Sequence, residues 1–417
     1  MLLKRLHGRI AAVHPEFPKY LMALALMGVC SGVFETTYNN WLYAQFMVSP
    51  TTRGNLEFIR EFPGLINAAL MGALAFLPET RVAALSAVVT AVGMAGLGLK
   101  GDNWWLMLLF TIFWGIGSHL IMPLRSSLTM EMGGQTQRGK RLGQVGAVQI
   151  VGAIGGAVIV WLIFGRGSEQ PTIEGQMGLL QEWQFDLSFY IAAAACVAAA
   201  FFFNALRDVG SHSKRPSFVL KSKYWLYYVL NVLFGARKQV FLTFGRWVLV
   251  TVFAQKPTTF AVLSIVGSVV GIWFTPWVGK LIDRLGERTI LVVDSFMLIL
   301  VCAAYAGAEH LGLPKHTALH IVYVSFVLDH LLFAVGMARD TYMSKIAETK
   351  DDLTASLSVG VSINHLVAMV VPTLGGLLWT AFGYEWVFIA AAAMALLMTL
   401  FSSMIKVPKS VDLVETA

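Results

Sequence analysis

Charge is what this chain has least of. Only 13% of its 417 residues are Asp, Glu, Lys or Arg, against 57% that are hydrophobic, whereas soluble domains carry roughly 25% charged residues. That shortage excludes an ordinary water-soluble globule. Cysteine is nearly as scarce: Cys30, Cys196 and Cys302 all fall inside long apolar stretches, so they offer neither a disulfide framework nor a metal cluster and read as packing residues. A Walker phosphate loop, a G-x-S-x-G elbow and an H-E-x-x-H pair are missing, which removes ATP hydrolysis, serine-hydrolase chemistry and zinc proteolysis from consideration. The chain is therefore expected not to be an enzyme and to need no cofactor or metal, and any energy it uses has to come from a gradient. The net charge of +7 is not arranged as a basic stripe with interleaved aromatics, so nucleic acid is not an expected partner. Residues 1–19 lack the apolar core and small-residue cleavage site of a signal peptide, and the first apolar stretch is expected to act as an uncleaved insertion signal.

What the chain has instead is long apolar runs. A hydrocarbon core about 30 Å thick needs roughly 20 apolar residues per helix, and such segments lie near 20–43, 58–77, 82–99, 104–127, 142–165 and 187–205, then near 224–252, 258–279, 289–307, 319–341, 356–381 and 384–405. All are expected to be helical, because an open strand edge facing lipid leaves backbone groups unsatisfied. The fold class is thus an all-α membrane protein with twelve transmembrane helices in two pseudo-symmetric six-helix bundles. The expected domains are 1–208, a cytoplasmic linker over 209–222, and 223–417.

Positive charge sets the orientation. With both termini in the cytoplasm, the inner segments carry Lys4, Arg5, Arg9 and Lys19 at the start and Arg207, Lys214, Arg215, Lys221 and Lys223 in the central loop, while external loops offer little beyond Arg53, Lys100, Arg166, Lys256 and Lys315. This bias follows the positive-inside rule. A bacterial-type cytoplasmic membrane is the expected location, with membrane lipid as surroundings and a monomer as the expected state. Trp104, Trp105, Trp183, Trp225 and Trp386 fall near predicted span ends, where an interfacial belt places them.

Between the eighth and ninth spans runs Gly279-Lys280-Leu281-Ile282-Asp283-Arg284-Leu285-Gly286-Glu287-Arg288. Gly286 gives the backbone freedom a tight turn needs, and Asp283 beside Arg284 and Arg288 supplies a carboxylate able to bind across helix ends in one conformation and release in another. The spacing G-x-x-x-D-R-x-G-x-R, flanked by membrane spans, resembles the signature loop of the major facilitator superfamily of secondary transporters. The counterpart loop in the first half, Leu77-Pro78-Glu79-Thr80-Arg81, is a shortened remnant. Val151-Gly152-Ala153-Ile154-Gly155-Gly156 in span 5 parallels Val371-Pro372-Thr373-Leu374-Gly375-Gly376 in span 11, and such paired glycines permit close helix contact. The span 11 version resembles half of the family's antiporter motif, whereas span 5 has Gly152 where that proline would sit. The resemblance implies alternating access by rocking of two halves around a central site.

Polar groups at membrane depth are costly and mark pathways. Counted from span ends, the residues near the midplane are Glu35, Asn39, Asn67, His119, Gln149, Arg237, Lys238, Asp329, His330, Asn364 and His365. The adjacent cations Arg237 and Lys238 cannot both be neutralised by one acid, which points to a substrate anion held by them with Asn39, Asn67, Gln149, His119, Asn364 and His365. The plainer alternative pairs Glu35 with Lys238 and Asp329 with Arg237 in a wholly structural network. Glu35, Asp329 and His330 can load and release a proton as a cavity opens alternately, since a carboxylate at depth feels both desolvation and neighbouring cations and histidine titrates near neutrality. Gating is expected from Asp283, Arg284, Arg288, Arg125, Arg339 and Asp340 on the inner face. On the outer face Glu57 and Arg60, three apart on one helix, take that role.

Together these readings describe a proton-gradient-driven transporter of a small organic anion or amphiphile. Two alternatives stay open: proton-driven efflux of lipophilic compounds, with Glu35 recognising a cation, and a non-transporting receptor or scaffold on the same fold.

Overall fold

The computed structural model describes residues 14–132, 138–165, 182–207, 220–310 and 312–407. Most of the linker expected over 209–222, and most of the longest external loop, lie outside the described residues. The elements are α1 (Phe17–Phe46), α2 (Pro50–Leu65), α3 (Asn67–Ala73), α4 (Glu79–Lys100), α5 (Trp104–Met132), α6 (Arg138–Phe164) and α7 (Glu182–Asn204). They continue with α8 (Trp225–Val240), a π-helical turn (Phe241–Gly245), α9 (Arg246–Thr251) and α10 (Pro257–Gly307). After these come α11 (Lys315–Leu332), a 3-10 turn (Phe333–Gly336), α12 (Met337–Ile346), α13 (Lys350–Phe382) and α14 (Tyr384–Ser403).

Nine helical stretches among the described residues are long and apolar enough to cross a membrane. One of them, α10, is two spans in one, because Gly286 breaks its helical geometry at φ 80°, ψ 159°, a conformation only glycine adopts readily. The two remaining spans are built from pieces. Span 2 is α2 followed by α3, interrupted after Pro63, and span 7 is α8 and α9 joined through the π-helical turn. Both carry charge in their interiors, as a pathway helix does. The fold is therefore all-α with twelve transmembrane helices. Span 2 starts at Pro50 rather than near residue 58, which moves Arg53 from an external loop into a helix.

The chain divides into two compact units. The first comprises Met1–Met47, Ile59–Lys214 and Ala254–Ser268, and the second Val48–Phe58, Arg215–Phe253 and Val269–Ala417. In the first, α1 lies against α6 so closely that a side-chain carbon on Gly156 would meet the Val33 amide nitrogen at 2.9 Å, and one on Gly28 would lie 3.2 Å from the Ala153 amide nitrogen. The face of α1 turned to α5 stacks Phe34 on Trp114 with ring centroids 3.8 Å apart. In the second unit, Tyr227, Leu230 and Phe234 of α8 pack with Leu291, Met343, Val359 and Met398 into a continuous core. Large apolar side chains such as Trp105, Phe201, Trp273, Val324 and Phe382 are exposed; on a membrane protein these are the groups lipid covers.

Several helix ends are fastened by charge. The Arg207 amide donates to Glu16 Oε2 at 2.7 Å, and this bond holds the Glu16 carboxyl below its usual range. In the second unit Lys221, Lys223 and the Tyr224 hydroxyl converge on Asp352, which lies in the first turn of α13, with Tyr224 Oη at 2.8 Å. Lys223 also pairs with Glu348, which is the main reason its ammonium titrates above the usual lysine range. The Thr349 hydroxyl caps α13 by accepting the Asp352 amide at 3.0 Å, a typical N-cap contact.

Candidate functional site

The densest buried charge lies within the second unit. Arg237, in the last turn of α8, is 1% exposed, and its Nη2 is 3.2 Å from Asp329 Oδ1 on α11. Its guanidinium also sits over the rings of Phe234 and Phe333, at 5.5 and 5.4 Å from their centroids. One turn below, Arg339 of α12 donates from Nη1 to Asn231 Oδ1 at 2.8 Å and lies 3.6 Å from the centre of the Phe234 ring. The face of Phe234 thus attracts both guanidiniums. The aromatic shelf orders the cations without neutralising them.

Donors remain unspent there. Nε and Nη1 of Arg237 and Nε of Arg339 are buried without a hydrogen-bond partner, as is Oδ1 of Asn364 on α13. Asn364 reaches toward α8 at Gly235, where a side-chain carbon would lie 2.7 Å from its Oδ1. A buried polar group left unpaired costs about 1–3 kcal/mol, more when charged, so the arrangement is one that water or a ligand completes. Lys238 and His365 are half-buried nearby in sequence, and His330 is exposed with its ring centroid 6.5 Å from that of Phe333. The structure therefore brings Arg237, Asp329 and Arg339 together and leaves His330, next to Asp329 in sequence, on the outside.

Asp294 belongs to the same cluster and was not singled out from the sequence. It is 2% exposed in the second arm of α10, and neither of its oxygens accepts a hydrogen bond. The cations that act on it are Arg237 and Arg339. The signal that could have found it is its apolar setting, Leu291-Val292-Val293-Asp294. Asn231, in Val229-Leu230-Asn231-Val232-Leu233, carries the same signal and was likewise not singled out.

Within the first unit a second polar group forms on α2, α3 and α5. His119 is buried, with Nδ1 2.7 Å from the Gly115 carbonyl oxygen and Nε2 3.6 Å from Glu61 Oε2. A carbonyl only accepts, so Nδ1 carries a proton. Asn67 Nδ2 donates to the His119 carbonyl at 3.0 Å, and Arg60 pairs with Glu61 at 3.2 Å. Arg125 Nη1 donates to Gln149 Oε1 at 2.6 Å, joining a residue expected to gate with one expected to bind. On α1, Glu35 is half-buried and Asn39 buried.

Two further contacts were not foreseen from spacing. Glu57 accepts from Arg53 Nη1 at 2.6 Å, one turn earlier, with both side chains 1% exposed. Gln239 Nε2 of α8 donates to Glu57 Oε2 at 3.0 Å, and Arg53 lies 5.9 Å from the Trp247 ring centre; all of these belong to the second unit. At the charged turn, Asp283, Arg284 and Arg288 are exposed, as is Asp340. The buried acid there is Glu287, held 2.6 Å from Lys345 of α12.

A family model described as Major Facilitator Superfamily matches residues 20–349. The chain belongs to that superfamily. It is accordingly an integral, multi-pass membrane protein of a transporter family. Solved structures of similar fold include a mutant of the nucleoside transporter NupG, at 14% identity with a TM-score of 0.74, over 93% of this chain and 99% of that one. A bacterial homolog to the human lysosomal transporter Spinster matches at 15% identity, TM-score 0.71, over 94% and 97%. A D-xylose-proton symporter matches at 16% identity, TM-score 0.66, again over 94% and 97%. No curated protein matches the sequence. At such identities the likeness speaks to fold, and the superfamily's transport role is read here through this chain's own buried charges.

Proposed function

We propose that this superfamily member is a secondary active transporter working by alternating access, moving a small organic anion or amphiphile together with protons. The observation that carries the anion is Arg237, a fully buried guanidinium with two donors unspent after its single contact to Asp329. Once Asp329 lets go of Nη2, that nitrogen forms with Nε or with Nη1 an edge that a carboxylate or phosphate with two acceptor oxygens matches. Asp329 makes the site switchable: protonated, it releases Arg237 to the substrate; ionised, it reclaims Arg237 and expels the substrate. Such a linkage between proton and anion is a coupling free energy and acts in both directions. Glu35, on α1, is the acid that serves the first unit in this reading, and Glu287 with Lys345 forms an inner-face ion pair suited to gating.

The test is a thermal-shift screen of the purified protein against organic anions, nucleosides, sugars and lipophilic cations at pH 5.5 and 7.5, followed by uptake into proteoliposomes under an imposed proton gradient. Anions are expected to raise the melting temperature more at the lower pH, and Arg237→Ala to remove that shift. Stabilisation by cations alone, surviving in Arg237→Ala, would replace this reading with efflux of lipophilic compounds.

A further inference from the structure

Arg339 is a second buried guanidinium, 5% exposed, and the site as read so far gives it no counter-ion. Among the described residues no carboxylate pairs with it: Asp329 takes Arg237, and neither oxygen of Asp294 accepts a hydrogen bond. Its contacts are of another kind. Nη1 donates to Asn231 Oδ1 at 2.8 Å, and the guanidinium carbon lies 3.6 Å from the centre of the Phe234 ring. Asn231 is itself fixed, since its Nδ2 donates to the Tyr227 carbonyl at 2.9 Å. A neutral amide and a ring face orient a guanidinium and leave its charge in place. Nε of Arg339 is buried without a partner, and Gly336, in the 3-10 turn, leaves room beside Nη2, where a side-chain carbon would come within 3.3 Å. The Nε–Nη2 edge is therefore a second unspent fork.

We propose that the substrate is a short dicarboxylate, with one carboxylate on the fork of Arg237 and the other on the fork of Arg339. The inference rests on the anion reading above and adds to it the number and spacing of the substrate's charges. Both guanidiniums approach one ring, at 5.5 and 3.6 Å from its centre, so a chain of a few carbons reaches from one to the other. When a protonated Asp329 lets go of Arg237, two buried positive charges remain. A monoanion balances only one of them, and a buried charge left uncompensated is costly. Two carboxylates balance both, each giving one fork its own pair of acceptor oxygens. Arg339, expected from the sequence to gate, thereby becomes a residue that selects substrate.

Isothermal titration calorimetry on the full-length protein in detergent tests this at pH 6.5, where both carboxyls of a diacid are largely ionised. The probes are glutarate, its monomethyl ester and glycerol 3-phosphate. The wild type should bind glutarate about 10- to 100-fold more tightly than the ester, the worth of one charged hydrogen-bonded contact. Arg339→Gln should bring glutarate down to the level of the ester and leave the ester's affinity within error, whereas Arg237→Gln should weaken both. Equal binding of glutarate and ester by the wild type, with both lost in Arg237→Gln, overturns the dicarboxylate and leaves the anion reading standing. Preference for glycerol 3-phosphate over glutarate overturns it as well, in favour of a single phosphate. Loss of the ester in Arg339→Gln would return Arg339 to a part in the fold or the gate. Where Arg339→Gln does not yield folded protein, the wild-type comparison still decides, and Arg339→Lys joins it: the charge stays, the fork goes, and the preference for glutarate should narrow. An unchanged preference there counts against the second fork. If none of the three anions binds, this assignment falls, and the wider screen and the uptake experiment decide the anion reading separately.

Discussion

At the scale of single residues, two roles for Arg237 have different consequences. If it is there to neutralise Asp329, deleting it strands a buried carboxylate, a loss of about 3–5 kcal/mol, and deleting both partners should recover part of that loss. If it also holds substrate, the double variant regains stability without regaining binding. The expected outcome of a double-mutant cycle is therefore a coupling of about 0.5–3 kcal/mol between Arg237→Ala and Asp329→Ala in thermal unfolding, with anion-induced stabilisation absent from Arg237→Ala and from the double variant but kept in Asp329→Ala. Binding that returns in the double variant would reduce the pair to a structural bridge. The charged turn gives a second contrast. Glu287 is buried against Lys345 at 2.6 Å, whereas Asp283 is exposed. Glu287→Gln weakens a charge-assisted contact and should cost about 1.5–3 kcal/mol, read as a lower melting temperature in detergent. Asp283→Asn should leave that temperature within error, and equal losses in the two would show that the exposed acid is engaged after all.

At the scale of helices, the sequence was legible wherever one physical rule dominated. Apolar length placed the spans, and the need for φ > 0 picked out Gly286, which adopts φ 80°. Small residues in register marked the close contact of α1 with α6. It was less legible where a side chain's partner sits on another helix. Arg53 read as a topology-setting loop charge because its burial depends on α2 beginning at Pro50 and on Glu57, Gln239 and Trp247 around it. Asp294 and Asn231 were overlooked because distance from a helix end does not reveal which neighbour's guanidinium a side chain meets. The glycines of α6 allow the packing rule to be tested position by position. A side-chain carbon on Gly155 would meet only Val29 Cγ2, at 3.8 Å, whereas one on Gly156 would press into the α1 backbone, 2.9 Å from the Val33 nitrogen. Gly155→Ala should therefore be neutral or stabilising, by up to about 1 kcal/mol from helix propensity. Gly156→Ala should destabilise by about 1–3 kcal/mol through overpacking. The same direction of change in both would mean that α1 and α6 do not approach as closely as described.

At the scale of the whole molecule, the distribution of Lys and Arg along the chain is what proposes an orientation. The central loop, with Arg207, Lys214, Arg215, Lys221 and Lys223, is rich in positive charge, whereas the stretch between spans 5 and 6 offers Arg166, so the positive-inside rule places the first in the cytoplasm and the second outside. The structure makes this easy to examine, because Cys30, Cys196 and Cys302 are all buried and contribute little background to thiol labelling. In cells expressing the full chain, a membrane-impermeant maleimide should label Ser168→Cys without permeabilisation and Ser213→Cys only after it. The reverse pattern would invert the proposed topology, placing the Glu287–Lys345 pair and the Asp352 clamp on the outer face. Equal labelling of both from outside, with the wild type unlabelled, would show that charge bias does not fix one orientation.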